Sequence, residues 1–118
     1  MKKILAIFFA IVMAAGAIAH IVVPEAYAPL VPEYINLSFA NWASAIAEAL
    51  VAVALIVPKY RSKGGLLFMA LMIGFLPIHI LDFFKEQPAI GEPPLPLIRI
   101  IIQFVLIYAG WWISRPKK

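Results

Sequence analysis

The sequence predicts an all-α fold: a polytopic membrane protein built as an antiparallel bundle of four transmembrane helices. Three observations predict it. The chain of 118 residues is 64% hydrophobic and only 14% charged, where soluble domains run nearer ~45–50% and ~25%. Its apolar residues gather in four runs, each close to the roughly 20 residues that a helix needs to cross a bilayer. Short connections rich in proline and glycine separate the runs, so sequential helices should pack as antiparallel neighbours within one domain spanning residues 1–118.

The four spans are expected over Ile4–Val23, Phe39–Val57, Leu66–Phe84 and Leu97–Ile113. Each must be helical, because backbone N–H and C=O groups find no partners in lipid outside their own segment. Pro24, Pro29 and Pro32 punctuate the first loop. Pro58 and the Gly64–Gly65 pair bracket the second, and Pro88, Gly91, Pro93, Pro94 and Pro96 fill the third. The first run also resembles a secretory signal peptide, with Lys2–Lys3 before it and Ala17-Ile18-Ala19 as an A-x-A cleavage site. The expected reading is a retained first helix, since that run ends in His20; a mature N-terminus at His20 would contradict it.

Basic residues alternate from loop to loop. Lys2 and Lys3 precede the first span, Lys59, Arg61 and Lys63 fill the second loop, and Arg115, Lys117 and Lys118 end the chain. The first loop instead carries Glu25 and Glu33, and the third sets Lys85 against Glu86 and Glu92. The positive-inside rule then places both termini in the cytoplasm of a cell (inner or plasma) membrane protein. The aromatic residues agree, with Tyr60, Trp111 and Trp112 at inner ends and Tyr27, Tyr34 and Trp42 near outer ends. The net charge of +4 is spent on this pattern rather than on a continuous basic face, which argues against nucleic acid as a partner. The expected partners are the bilayer, a membrane protein and a second copy of the chain. The absence of cysteine excludes disulfides, thiolate metal sites and thiol redox chemistry in this chain.

Ionisable residues inside spans are costly, usually face the protein interior, and stand as functional candidates. Here they are His20, Glu48, His79, Asp82 and Arg99, joined by the neutral Asn41 and Gln103. A rise of ~1.5 Å per residue puts Glu48 near the middle of its span and the others outward of it. Helical phase groups them. Asn41, Ala45 and Glu48 form one stripe, His79 and Asp82 another, Arg99 and Gln103 a third, and Gly16 lies one turn before His20. Four helices can therefore turn one polar stripe each toward a common centre. The structural alternative is a Glu48–Arg99 ion pair that sets helix register, with the histidines and Gln103 satisfying it. Asp82 and Arg99 also lie near enough to the interface for water to solvate them. Pro77, inside the third span, should free a carbonyl near Gly74 or Ile73.

Taken in order, these features resemble the DoxX-like family of small four-helix membrane proteins over nearly the whole chain. The matching pieces are His20-Ile21-Val22-Val23-Pro24-Glu25, Val31-Pro32, Glu48, Leu55 to Pro58 before a basic loop, Phe75-Leu76-Pro77, and Arg99-Ile100-Ile101-Ile102-Gln103. Ile21 stands where an aromatic residue is common in that family, and His79 where asparagine is. The resemblance implies a four-helix bundle linked to membrane redox or assembly systems.

Two functions compete for the polar cluster, and a third needs none. The first is a pocket for the head of a quinone-like lipid. There His20, His79 and Gln103 would hydrogen-bond carbonyl oxygens, Glu48 would relay a proton, and Arg99 would stabilise negative charge. The second is a divalent metal site, since His20, Glu48 and His79 match the ligand types of zinc and non-haem iron. The third is a non-catalytic assembly factor or chaperone whose polar core is structural. A channel fits less well, because the inner half of every span is almost wholly apolar apart from Tyr108. No nucleotide-binding signature and no nucleophile–histidine–acid set is present.

Overall fold

The computed structural model describes residues 1–29, 31, 34–84 and 94–115. Pro32, Glu33, Lys85, Glu86, Pro88, Gly91, Glu92, Pro93, Lys117 and Lys118, used above for loops and topology, lie outside the described residues. The fold is all-helical, with α1 over Lys2–Val22, α2 over Leu37–Ile56, α3 over Arg61–Phe83 and α4 over Leu95–Ser114. All four helices are long and apolar enough to cross a membrane.

The helix ends have local causes. The chain leaves α1 at Val23, and Pro24 opens a short 3-10 turn, Pro24–Tyr27. Asn36 caps α2, its side-chain oxygen accepting from Phe39 N at 3.0 Å, which supplies one of the donors a helix start leaves unpaired. After α2 a second 3-10 turn, Pro58–Tyr60, leads straight into α3. Arg61 reaches back from α3 and donates from Nε to Leu55 O and from Nη2 to Ile56 O, both at 3.0 Å. Pro96 falls in the first turn of α4, where a missing N–H costs no helix bond.

One expectation needs correcting. Gly64 and Gly65 do not end the second loop; they lie inside α3, which starts five residues before the expected Leu66. Arg61 and Lys63 accordingly sit on the first turn of α3, and only Lys59 remains in the connection. The glycines serve close approach. A Cβ on Gly64 would lie 2.8 Å from backbone atoms of Ala54 and Leu55. One on Gly65 would lie 2.7 Å from Ser114 N and 2.8 Å from Gly110 O. In a membrane, where helices gain no hydrophobic attraction for one another, small-residue contacts of this kind carry the van der Waals packing.

Consecutive helices run antiparallel, α1 against α2 and α3 against α4, with α2 also packed on α3. The end that carries both chain termini is closed. There Ser62 Oγ donates to Ser114 O at 2.6 Å and Lys2 Nζ to Arg115 O at 3.2 Å. Above that end lies an apolar core including Ala6, Phe9, Leu55, Phe68 and Ile113, in which the Phe9 and Phe68 rings stack at 4.6 Å. Outward faces present exposed Phe8, Ile11, Leu50, Leu67 and Val105. The buried polar residues Asn41, His79, Asp82 and Gln103 belong to the other half of the bundle, and Glu48 lies at the middle of α2.

Candidate functional site

His20 stands in the last turn of α1, and the 3-10 turn that follows folds the chain back over it. Tyr27 thereby stacks on the imidazole, with ring centroids 3.8 Å apart and planes 20° from parallel. Asn41 faces the ring from α2: its Oδ1 lies 2.7 Å from His20 Nδ1, while its Nδ2 donates to Pro24 O at 3.3 Å. Glu48 lies on the same stripe of α2, seven residues or about 10.5 Å further along the axis. Its Oε2 is 3.0 Å from His20 Nε2. That is an ion-pair distance off the hydrogen-bond direction, so Oε2 has no hydrogen-bond partner.

The carboxylate needs the notch at Gly16. A Cβ there would sit 2.5 Å from Glu48 Oε1. Glu48 is therefore paired with His20 across α1 and α2, and not with Arg99 as the structural alternative had it.

Beside this pair lies a cavity of about 240 Å³. His20, Asn41, Glu48, His79 and Arg99 line it together with Tyr27, and Met13, Met72, Phe75 and Ile78 supply apolar wall. His79 is 9% exposed, and its Nδ1 has no hydrogen-bond partner. Buried polar atoms are almost always satisfied, so such an atom calls for an explanation. Arg99 lies within electrostatic reach of Asp82 and Tyr27. The Tyr27 phenol is pushed above its ordinary range, first by burial and then by the charge of Glu48, with Arg99 opposing.

Two of the seven polar candidates stand apart from the cavity. Gln103 is clamped elsewhere, its Nε2 donating to Met72 O at 2.6 Å and lying 3.6 Å from Met72 Sδ. The carbonyl that Pro77 deprives of its helix donor is that of Ile73, so the clamp falls one residue away from it. Asp82 is 2% exposed, which corrects the expectation that water solvates it. Among the described residues, no three His, Asp or Glu side chains gather closely enough to hold a metal ion. His20 and Glu48 meet, and His79 lines the cavity without closing a triad with them.

Sequence reasoning missed Tyr27 and Ser44 as lining residues. Ser44 was legible, since it lies three residues after Asn41 and four before Glu48 on one helical face. Tyr27 was not, because its stack depends on how the chain turns at Pro24.

No curated protein and no solved structure matches the chain. Residues 9–114, from the second turn of α1 to the end of α4, match the family described as a domain of unknown function, DUF8561. That match covers most of the chain and every residue of the polar cluster, and the protein belongs to the DUF8561 family.

Proposed function

We propose that this protein is an integral membrane protein whose cavity binds the polar head of a small lipid-soluble ligand of the quinone class, in service of a membrane redox system. Both termini face the cytoplasm in this reading, because Lys2, Lys3, Lys59, Arg61, Lys63 and Arg115 belong to one end of the bundle. The polar cavity then lies in the outer half of the membrane. The resemblance to DoxX-like proteins supports the redox-accessory role.

The observation that carries the proposal is a cavity lined by His79 and Glu48, two buried side chains that each keep a polar atom without a hydrogen-bond partner, His79 Nδ1 and the Glu48 Oε2 that stands at ion-pair distance from His20. A purely structural polar core would satisfy its own members. The cavity of about 240 Å³ is smaller than the roughly 300–1,000 Å³ of sites for drug-sized ligands. It suits a single-ring head with the apolar tail left in lipid. His79 and Arg99 provide donors for a ring oxygen on one side, the His20–Glu48 pair handles a proton on the other, and Phe75 and the methionines pack the ring face.

The test is ligand occupancy. Wild-type protein purified from its native membrane should carry a near-stoichiometric lipid-soluble compound, detected by organic extraction and mass spectrometry. The doubly substituted Glu48→Gln, Arg99→Ala protein should lose it. Equal occupancy in the two proteins, or an empty wild type, contradicts the proposal.

A further inference from the structure

The hydrogen-bond chain at the end of α1 determines where protons sit. The Pro24 carbonyl can only accept, so the group of Asn41 that faces it at 3.3 Å must be the amide NH₂. The carbonyl oxygen of the same amide then faces His20 Nδ1 at 2.7 Å. An amide oxygen accepts and cannot donate, so Nδ1 must carry the hydrogen. A neutral His20 is thereby left with a bare lone pair on Nε2. Glu48 Oε2 lies 3.0 Å from that nitrogen, at ion-pair distance, with both side chains largely buried. An ionised carboxylate against a lone pair at this distance is repulsive. One proton held by the pair removes that repulsion: on the ring it makes an ion pair, and on Glu48 it neutralises the carboxylate.

We infer that His20 and Glu48 share a single exchangeable proton beside the cavity they line, and that Asn41 is the positioning residue that enforces this by locking His20 as the Nδ1–H tautomer. The inference rests on the pocket reading above and narrows its ligand. The pair can give its proton to an oxygen acceptor, such as a ring carbonyl or a phenolate, leaving Glu48 ionised beside a neutral ring. It can take a proton back from a hydroxyl and return to its starting state. Proton number balances in each direction, and no electron moves in the step.

Asn41 also sets the direction of exchange. A second hollow, of about 200 Å³, shares His20 and Asn41 with the cavity and is lined besides by residues including Pro24, Glu25 and Ser38. The Asn41 amide, which lines both spaces, holds Nδ1–H and relays no proton of its own. Exchange is thus confined to the Nε2 end of the ring and Glu48. The charged and titratable groups near the pair from the neighbouring elements are Tyr27, stacked on the ring, His79 and Arg99 in the cavity lining, and Glu25 in the second hollow.

The experiment uses full-length protein in lipid nanodiscs with ¹⁵N-labelled histidine, the His20 signals being assigned with a His79→Asn variant. Nitrogen shifts report the tautomer of His20. A carboxylic-acid C=O infrared band present in wild type and absent in Glu48→Gln reports a protonated Glu48. The inference expects either a neutral Nδ1–H ring with that band, or a doubly protonated ring without it. A neutral Nδ1–H ring without the band overturns it, as does a neutral Nε2–H ring. Asn41→Leu should lower the Nδ1–H to Nε2–H ratio about tenfold, the ratio that one hydrogen bond of about 1.4 kcal/mol sustains. Asn41→Asp, which keeps an acceptor at the same place, should retain Nδ1–H and serves where the leucine variant fails to fold. An unchanged ratio in Asn41→Leu, or Nδ1–H lost in Asn41→Asp, overturns the positioning role. Ligand occupancy is measured on the same samples. The shared proton found in protein that carries no ligand supports this inference while refuting the pocket. Its absence from protein that carries ligand refutes the inference alone.

Discussion

Substitution of Gly65 by alanine tests how the bundle is closed. The added Cβ would meet Ser114 N at 2.7 Å, Gly110 O at 2.8 Å and Ile113 Cγ2 at 3.0 Å. Two of these atoms are backbone and cannot swing aside. Ordinary contact begins near 3.4 Å, so α3 and α4 must part by about 0.7 Å at this point. A gap of that size forfeits a quarter to a half of the dispersion energy of the atoms facing it. Overpacking of this kind costs about 1–3 kcal/mol, and lipid offers no hydrophobic compensation. Gly110→Ala strikes the same seam from the other side, meeting Gly65 O and Met69 N at 2.9 Å. The double variant should therefore cost less than the sum of the singles. Gly74→Ala is the control, since nothing lies within 4 Å of its Cβ position. It should be neutral or stabilising by up to ~1 kcal/mol through helix propensity. Unfolding titrations in mixed micelles, followed by circular dichroism, measure all four proteins. A Gly65→Ala protein as stable as wild type, or a Gly74→Ala protein as damaged as Gly65→Ala, would refute the reasoning.

Three further outcomes are expected. Gly16→Ala meets only the mobile end of Glu48, so the same titration should register less than about 1 kcal/mol; ligand occupancy should nonetheless fall as the carboxylate leaves His20, and full occupancy would contradict the notch. Arg61→Ala removes two bonds to the last carbonyls of α2 and should cost about 1 kcal/mol, given partial solvent exposure; an unchanged unfolding midpoint counts against that cap. Tyr27 holds its proton more tightly in the folded state than its ordinary value of 10.0. Its contribution to stability is therefore complete below pH 10.0 and lost as pH rises through the raised value. Wild type should lose stability more steeply above that point than Tyr27→Phe, and superimposable alkaline titrations would show that burial does not act on the phenol.

Much of this was legible in the sequence, because lipid imposes a simple rule: a run of about 20 apolar residues becomes a helix. Four helices long and apolar enough to cross a membrane stand where the four spans are expected, with boundaries displaced by one to five residues. The largest error, at the start of α3, came from reading Gly64–Gly65 as a break. Glycine breaks helices in water through backbone entropy, but between membrane helices it permits close contact. The sequence does not distinguish these uses, since the atoms that meet Gly65 belong to residues 110, 113 and 114. Helical phase correctly gathered His20, Asn41, Glu48, His79 and Arg99 around one space. It did not give the pairing: the structural alternative offered Arg99 to Glu48, where His20 takes that place. Phase gives the face of a residue, while pairing depends on depth and on the turn at Pro24, neither of which periodicity encodes. Gln103 shares a face with Arg99 and yet serves the α3–α4 contact, because its length lets it reach the Met72 carbonyl.

The pocket itself is tested most directly by mapping where a ligand lands. A benzoquinone-headed probe with a photoreactive group on its ring, incorporated into nanodiscs with the full-length protein, is irradiated and its attachment sites are read by proteolysis and mass spectrometry. Crosslinks should fall on the cavity residues Met13, Tyr27, Met72 and Phe75, and should be lost in Glu48→Gln, Arg99→Ala protein. Labelling confined to exposed, outward-facing residues such as Phe8, Leu50 and Val105, or cavity labelling indifferent to those substitutions, would contradict a quinone-class site.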